Sequence, residues 1–174
     1  LDPSSKFYQN TRFLTSSIVG MHSALVDDTD YTWGTSDPAV SLYAIRPAYD
    51  SKDAYFFLTS SWGEITTSVY PDVYAHNQWQ FAIRLTPSEH DAYTLRESGV
   101  SSSMNLELYG VQTTLDVVEN TFTYSASMLD SGNPMFDYGT DKVRIYAGAH
   151  YTNFTGSILT HSDIRLSNVR LWID

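Results

Sequence analysis

Three carboxylates, Asp27, Asp28 and Asp30, stand immediately ahead of Tyr31-Thr32-Trp33-Gly34. Closely spaced carboxylates in a loop can supply the hard oxygen ligands that Ca²⁺ takes. The fixed Gly and distal Glu of an EF-hand loop are absent, so the same residues equally describe a solvated turn whose side chains cap backbone amides. Calcium is the one cofactor that the sequence suggests, and it requires none. A second group, Trp33, Trp62, His150, Tyr151, Asn153 and Phe154, combines aromatic rings with amide and imidazole groups in segments that read as loops or strand ends. Rings beside such groups can stack on the apolar face of a sugar and bond its hydroxyls. The competing role is to plug the end of a core, and for Phe154 plugging is the favoured reading.

Acid–base chemistry finds less material. Glycoside hydrolysis needs two carboxylates facing each other across a cleft. Glu64, Glu97, Glu107 and Glu119 are isolated, and Glu107 alternates with Leu106 and Leu108 as an outward strand residue. The five His form neither a His-x-His pair nor a His-Glu-x-x-His run, and neither a Gly-x-Ser-x-Gly elbow nor a phosphate-cradling Gly loop occurs. Thiol catalysis and Cys-ligated metal are excluded by the absence of Cys. We assign no catalytic residue. Asn153-Phe154-Thr155 fits the N-glycosylation pattern, which matters only in a secreted eukaryotic protein.

These residues must be positioned by strands. In Gln78–Leu85, Trp79, Phe81, Ile83 and Leu85 share one face; in Thr121–Met128, Phe122, Tyr124, Ala126 and Met128 do; in Lys142–Ala147, Val143, Ile145 and Ala147 do. Period-two alternation of this kind marks strands with one face inward and one wet. Less regular strands are read over Phe13–Val19, Val40–Ile45, Tyr55–Thr59, Glu64–Val69, Asn105–Tyr109 and Gln112–Val118. A last strand changes phase between Leu166 and Val169, which predicts a bulge at Ser167-Asn168. Helix is expected at most near Ser88–Tyr93. Some ten strands without covering helices must bury their apolar faces against a second sheet, the alternative being a closed barrel. The expectation is one all-β domain over residues 1–174, an antiparallel two-sheet β-sandwich belonging to a longer polypeptide.

Composition narrows the partners. Hydrophobic residues make up 42% of the 174, enough for a core. Twenty Asp plus Glu against ten Lys plus Arg leave a formal charge of −10, which disfavours nucleic acid and anionic lipid surfaces alike. No apolar run reaches the length of a membrane-spanning helix.

Three segments carry a family resemblance. His76-Asn77-Gln78-Trp79-Gln80-Phe81-Ala82-Ile83-Arg84-Leu85 is similar to the mid-domain strand of laminin-G/concanavalin-like modules. Asn105-Leu106-Glu107-Leu108-Tyr109-Gly110 followed by Val111–Val118 resembles their hairpin, with Tyr109-Gly110 where Asp-Gly is usual. Lys142–Asp174, two strand patterns around Gly148–Gly156, resembles their closing pair. The resemblance implies a jelly roll and a non-catalytic structural or adhesion module of a larger surface or virion protein. Lamin-G-like modules embedded in phage structural proteins are the looser comparison. Such a module meets other protein subunits or glycans within a multimeric assembly, outside the cell or on a virion. The alternative it implies is a carbohydrate-binding lectin domain, calcium-assisted or not. Hydrolases of this group carry Glu-x-Asp-x-x-Glu or Glu-x-Asp-x-Glu runs that this chain lacks, which makes an enzyme the weakest reading.

Overall fold

Residues 15–23, 39–48, 50–60, 63–75, 77–87, 102–130, 143–147 and 170 are described by the structure, a computed structural model. The chain forms eight strands there: β1 (Thr15–Ser23), β2 (Ala39–Ile45), β3 (Tyr55–Ser60), β4 (Gly63–Thr66), β5 (Gln78–Pro87), β6 (Ser102–Thr114), β7 (Val117–Asp130) and β8 (Val143–Ala147). They build two antiparallel sheets, ordered β4-β3-β2-β1-β8 and β5-β6-β7. No helix occurs among the described residues. Neighbouring strands are consecutive in the chain, except that β8 returns to pair with β1.

Period-two alternation decides which side chains meet between the sheets. From the larger sheet come Val40, Leu42 and Ala44 on β2, Phe56 and Leu58 on β3 and Ile65 on β4; from the smaller come Leu106, Leu108 and Phe122, all buried. Trp79, Phe81, Ile83 and Leu85 pack on this core along the expected face of β5, as do Tyr124 and Ala126 on β7. Phe56 sits at the centre. Its ring lies 4.8 Å from Trp79 and 4.7 Å from Phe81 in edge-on contacts, and 5.8 Å from Phe122. Edge-on geometry sets the positive rim of one ring against the negative face of the next, adding about 0.5–1.5 kcal/mol to the area buried. The two sheets therefore meet face to face through aromatic rings.

The segment between β4 and β5 closes one end of this core. Tyr74 is buried there, with its hydroxyl donating to Ser16 Oγ at 3.0 Å. The guanidinium of Arg46, itself buried, lies 3.8 Å from the centre of the Tyr74 ring. Gln112 is fully buried on β6, and its amide spans two elements. It donates to the Pro71 carbonyl at 3.4 Å and accepts from Asn120 Nδ2. A buried amide is tolerable because these groups replace its water.

Three expectations need correcting. The hairpin with its turn at Tyr109-Gly110 is replaced by one unbroken β6 that pairs with β7 from Ser102↔Asp130 to Thr114↔Val117. The turn is Leu115-Asp116, where φ is 49° and 65°. Gly110 faces inward beneath the Phe122 ring, and a Cβ there would overlap that ring; the glycine serves packing rather than turning. Second, Ile145 on β8 is 45% exposed rather than buried. Its strand is the fifth of the larger sheet, and none of its residues belongs to the described core. Third, β5 continues beyond the expected end at Leu85, with Pro87 opposite Met104 as its last residue. The expected bulge at Ser167-Asn168, the closing strand and the Ser88–Tyr93 segment lie outside the described residues.

Candidate functional site

Tyr55-Phe56-Phe57-Leu58 is a run of four large apolar residues in a strand, so both faces of β3 are apolar. Phe56 and Leu58 point into the core, leaving Tyr55 and Phe57 on the outer face of the larger sheet. The β2–β3 register places Ile45 opposite Tyr55 and Tyr43 opposite Phe57. Tyr43 and Phe57 stack at 6.5 Å between ring centres. Burial raises the Tyr43 phenol above its ordinary value, partly offset by a hydrogen bond with Ser41.

A wall rises beside this floor. Past β4 the chain stays bound to β3. Thr67 N donates to Phe56 O at 3.0 Å, Phe56 N donates to Thr67 Oγ1 at 2.9 Å, and Tyr70 and Ala54 exchange both backbone bonds. Between those two attachments Ser68 and Val69 together stand opposite Tyr55 alone, which is the two-against-one count of a β-bulge. The extra residue pushes Val69 outward, to 51% exposure. The bulge is tied to the other sheet by Tyr124 of β7. Its hydroxyl accepts from Ser68 N at 2.9 Å and donates to Ser68 Oγ at 3.0 Å.

Floor and wall enclose an open groove of about 440 Å³, with Ile45, Tyr55 and Phe57 below and Thr66, Thr67, Ser68 and Val69 at the side. No lining side chain carries a charge at neutral pH. The Tyr70 phenol behind the wall stays protonated as well. Tyr70 is pushed up to about 12, first by burial and then by the Tyr124 hydroxyl, while the bonds from Ser68 hold Tyr124 below the ordinary phenol value. The groove thus offers rings, methyl groups and hydroxyls.

The residues singled out from the sequence do not form this groove. Asp27, Asp28, Asp30, Trp33, Trp62, His150, Tyr151, Asn153 and Phe154 all lie outside the described residues. Among the described residues no three His, Asp or Glu side chains converge as a metal site would require. The groove itself had one sequence signal, the unbroken run Tyr55–Leu58. Such a run says that a strand is apolar on both faces, but not what lies beside it.

No protein-family model, no curated protein and no solved structure matches the chain.

Proposed function

We propose that this protein is a non-catalytic structural or adhesion module of a larger surface or virion protein, folded as a β-sandwich jelly roll of the laminin-G/concanavalin-like kind. It works by surface contact, with a protein or glycan partner, and as part of a multimeric assembly. The observation that carries this reading is the uncharged groove over Ile45, Tyr55 and Phe57 on the outer face of the larger sheet. A half-buried apolar floor beside polar groups is a common composition of a contact site. The jelly roll adds Greek-key crossovers to the observed meanders, and the return of β8 to β1 is the one non-sequential neighbour among the described strands.

The aromatic floor beside Thr and Ser hydroxyls favours a second reading, a carbohydrate-binding lectin domain. Asp27, Asp28 and Asp30 would then hold calcium, and Trp33, Trp62, His150, Tyr151 and Asn153 would widen the contact. A glycan array separates the two, with and without chelator. The structural module leaves the array silent while circular dichroism reports a folded domain. The lectin binds, and loses binding on Tyr55→Ala or Trp33→Ala. Release of reducing ends from a polysaccharide panel would overturn both readings.

A further inference from the structure

All three non-glycine residues at positive φ among the described ones, Asp72, Leu115 and Asp116, gather at one end of the molecule. Asn77 ties their two turns together. Its Nδ2 donates to the Asp72 carbonyl at 3.2 Å, and its Oδ1 accepts from Oγ1 of Thr114, the neighbour of Leu115, at 2.9 Å. Gln112 makes a second tie, to Pro71 on one side and Asn120 on the other. Backbone held in sparsely populated conformations persists where its surroundings enforce it, and such residues concentrate at ligand clamps. The side chains presented there are of two kinds. Leu115 is 93% exposed, Val117 63% and Val118 57%; Asp116 and Glu119, also exposed, are interleaved with them, and exposed Asp72 stands across the Asn77 tie. Between Arg96 and Lys142 the sequence has no Lys or Arg, so the hairpin supplies no cation to offset these carboxylates.

We propose that this double turn, Asp72 together with residues 115–119, docks a basic, apolar segment of a protein partner. Charge complementarity selects that chemistry. The carboxylates repel an acidic partner, and a purely apolar one would strip them of water without giving a counter-charge in return. A segment that alternates Lys or Arg with large apolar residues answers both demands. Its apolar side chains cover Leu115, Val117 and Val118, while its cations pair with Asp72, Asp116 and Glu119. Turns already fixed by Asn77 and Gln112 lower the ordering cost of the contact. The surface shares no residue with the groove over Ile45, Tyr55 and Phe57, so the two contacts stand independently.

The probe is a short synthetic peptide alternating Lys with Leu, titrated into the isotope-labelled whole chain and followed by amide chemical shifts. A peptide with Glu in place of Lys is its counterpart. The expected result is saturable shifts centred on Asp72, Asn77 and residues 115–119. Binding weakens several-fold from low salt to about 0.5 M, where the screening length falls to a few Å. The Glu peptide leaves the spectrum unchanged. Leu115→Ser keeps the formal charge and weakens binding several-fold, and Asp116→Asn combined with Glu119→Gln keeps the apolar residues and does the same. Glu64→Gln removes an exposed carboxylate on β4 and binds like the wild type. Melting curves check that each variant is folded. Leu115→Ser binding like the wild type would reduce the contact to Coulomb attraction and overturn the proposal. So would the absence of a saturable shift at the double turn, or equal binding of the Glu peptide.

Discussion

The ring of Phe122 on β7 lies against Gly110 on β6, directly across the strand pair, in the space a Cβ would need. An aromatic ring covering a cross-strand glycine repairs the weakness that glycine brings to a strand. Phe122 also contacts Tyr70 at 5.0 Å, so the pair joins the smaller sheet to the segment behind the groove wall.

Gly110→Ala is therefore expected to destabilise the fold by about 1–3 kcal/mol, the usual cost of overpacking. Urea denaturation gives the value. Phe122→Leu alone leaves a cavity and destabilises too, but the double variant should lose less than the sum, because the smaller side chain vacates the space that the new methyl needs. Additive losses would show that the two residues do not share that space.

The Leu115-Asp116 turn predicts the opposite sign. A non-glycine residue in the left-handed region costs roughly 1–2 kcal/mol, less for Asp or Asn, whose side chains bond locally. Replacing Leu115-Asp116 by Asn-Gly should stabilise the isolated domain by about 1–2 kcal/mol, read as a higher urea midpoint at unchanged m-value.

Tyr70 and Tyr124 make the domain sensitive to alkali. Among the described phenols, a spectrophotometric titration should show Tyr124 ionising ahead of the ordinary value of 10.0, Tyr43 above it and Tyr70 lagging at about 12. The raised value of Tyr70 means that the folded chain holds its proton after the unfolded chain has released it. Its stabilisation is complete below pH 10 and fades as pH climbs toward about 12. Tyr124, shifted down, acts in the reverse sense: its contribution is present above the ordinary value and is lost as pH falls through the folded one. Tyr70→Phe should remove the phenol that lags at about 12 and flatten the alkaline decline; an unchanged titration and decline would refute the assignment.

Tyr74 contributes through both its hydroxyl and its ring. Tyr74→Phe removes the bond to Ser16 and should cost about 0.5–1.5 kcal/mol. Tyr74→Leu also removes the face on which Arg46 lies, adding about 0.5–2 kcal/mol. Equal losses in thermal melts of the two variants would show the ring contact to be worthless.

Alternation alone identified the inner faces of β5 and β7, because a half-buried strand has to satisfy only a period of two. It placed Trp79, Phe81, Ile83 and Leu85 on the core side, and Phe122 and Tyr124 with them. The absence of Cys and the charge of −10 are equally direct, since composition bounds covalent and Coulomb chemistry without any geometry. The turn between β6 and β7 was not legible. Gly110 has the residue type of a turn and the position of a strand, and the difference is a ring twelve residues away. Leu115-Asp116 has the geometry of a turn without the Asn-Gly pair that usually marks one. The groove needed still more. Tyr55 and Phe57 could be known as outward and apolar, yet only the pairing of β3 with β2, and the bulge that Tyr124 pins from the opposite sheet, build walls around them. Local pattern determines which way a side chain points; what stands beside it depends on contacts between residues far apart in sequence, and those form only when the sheets assemble.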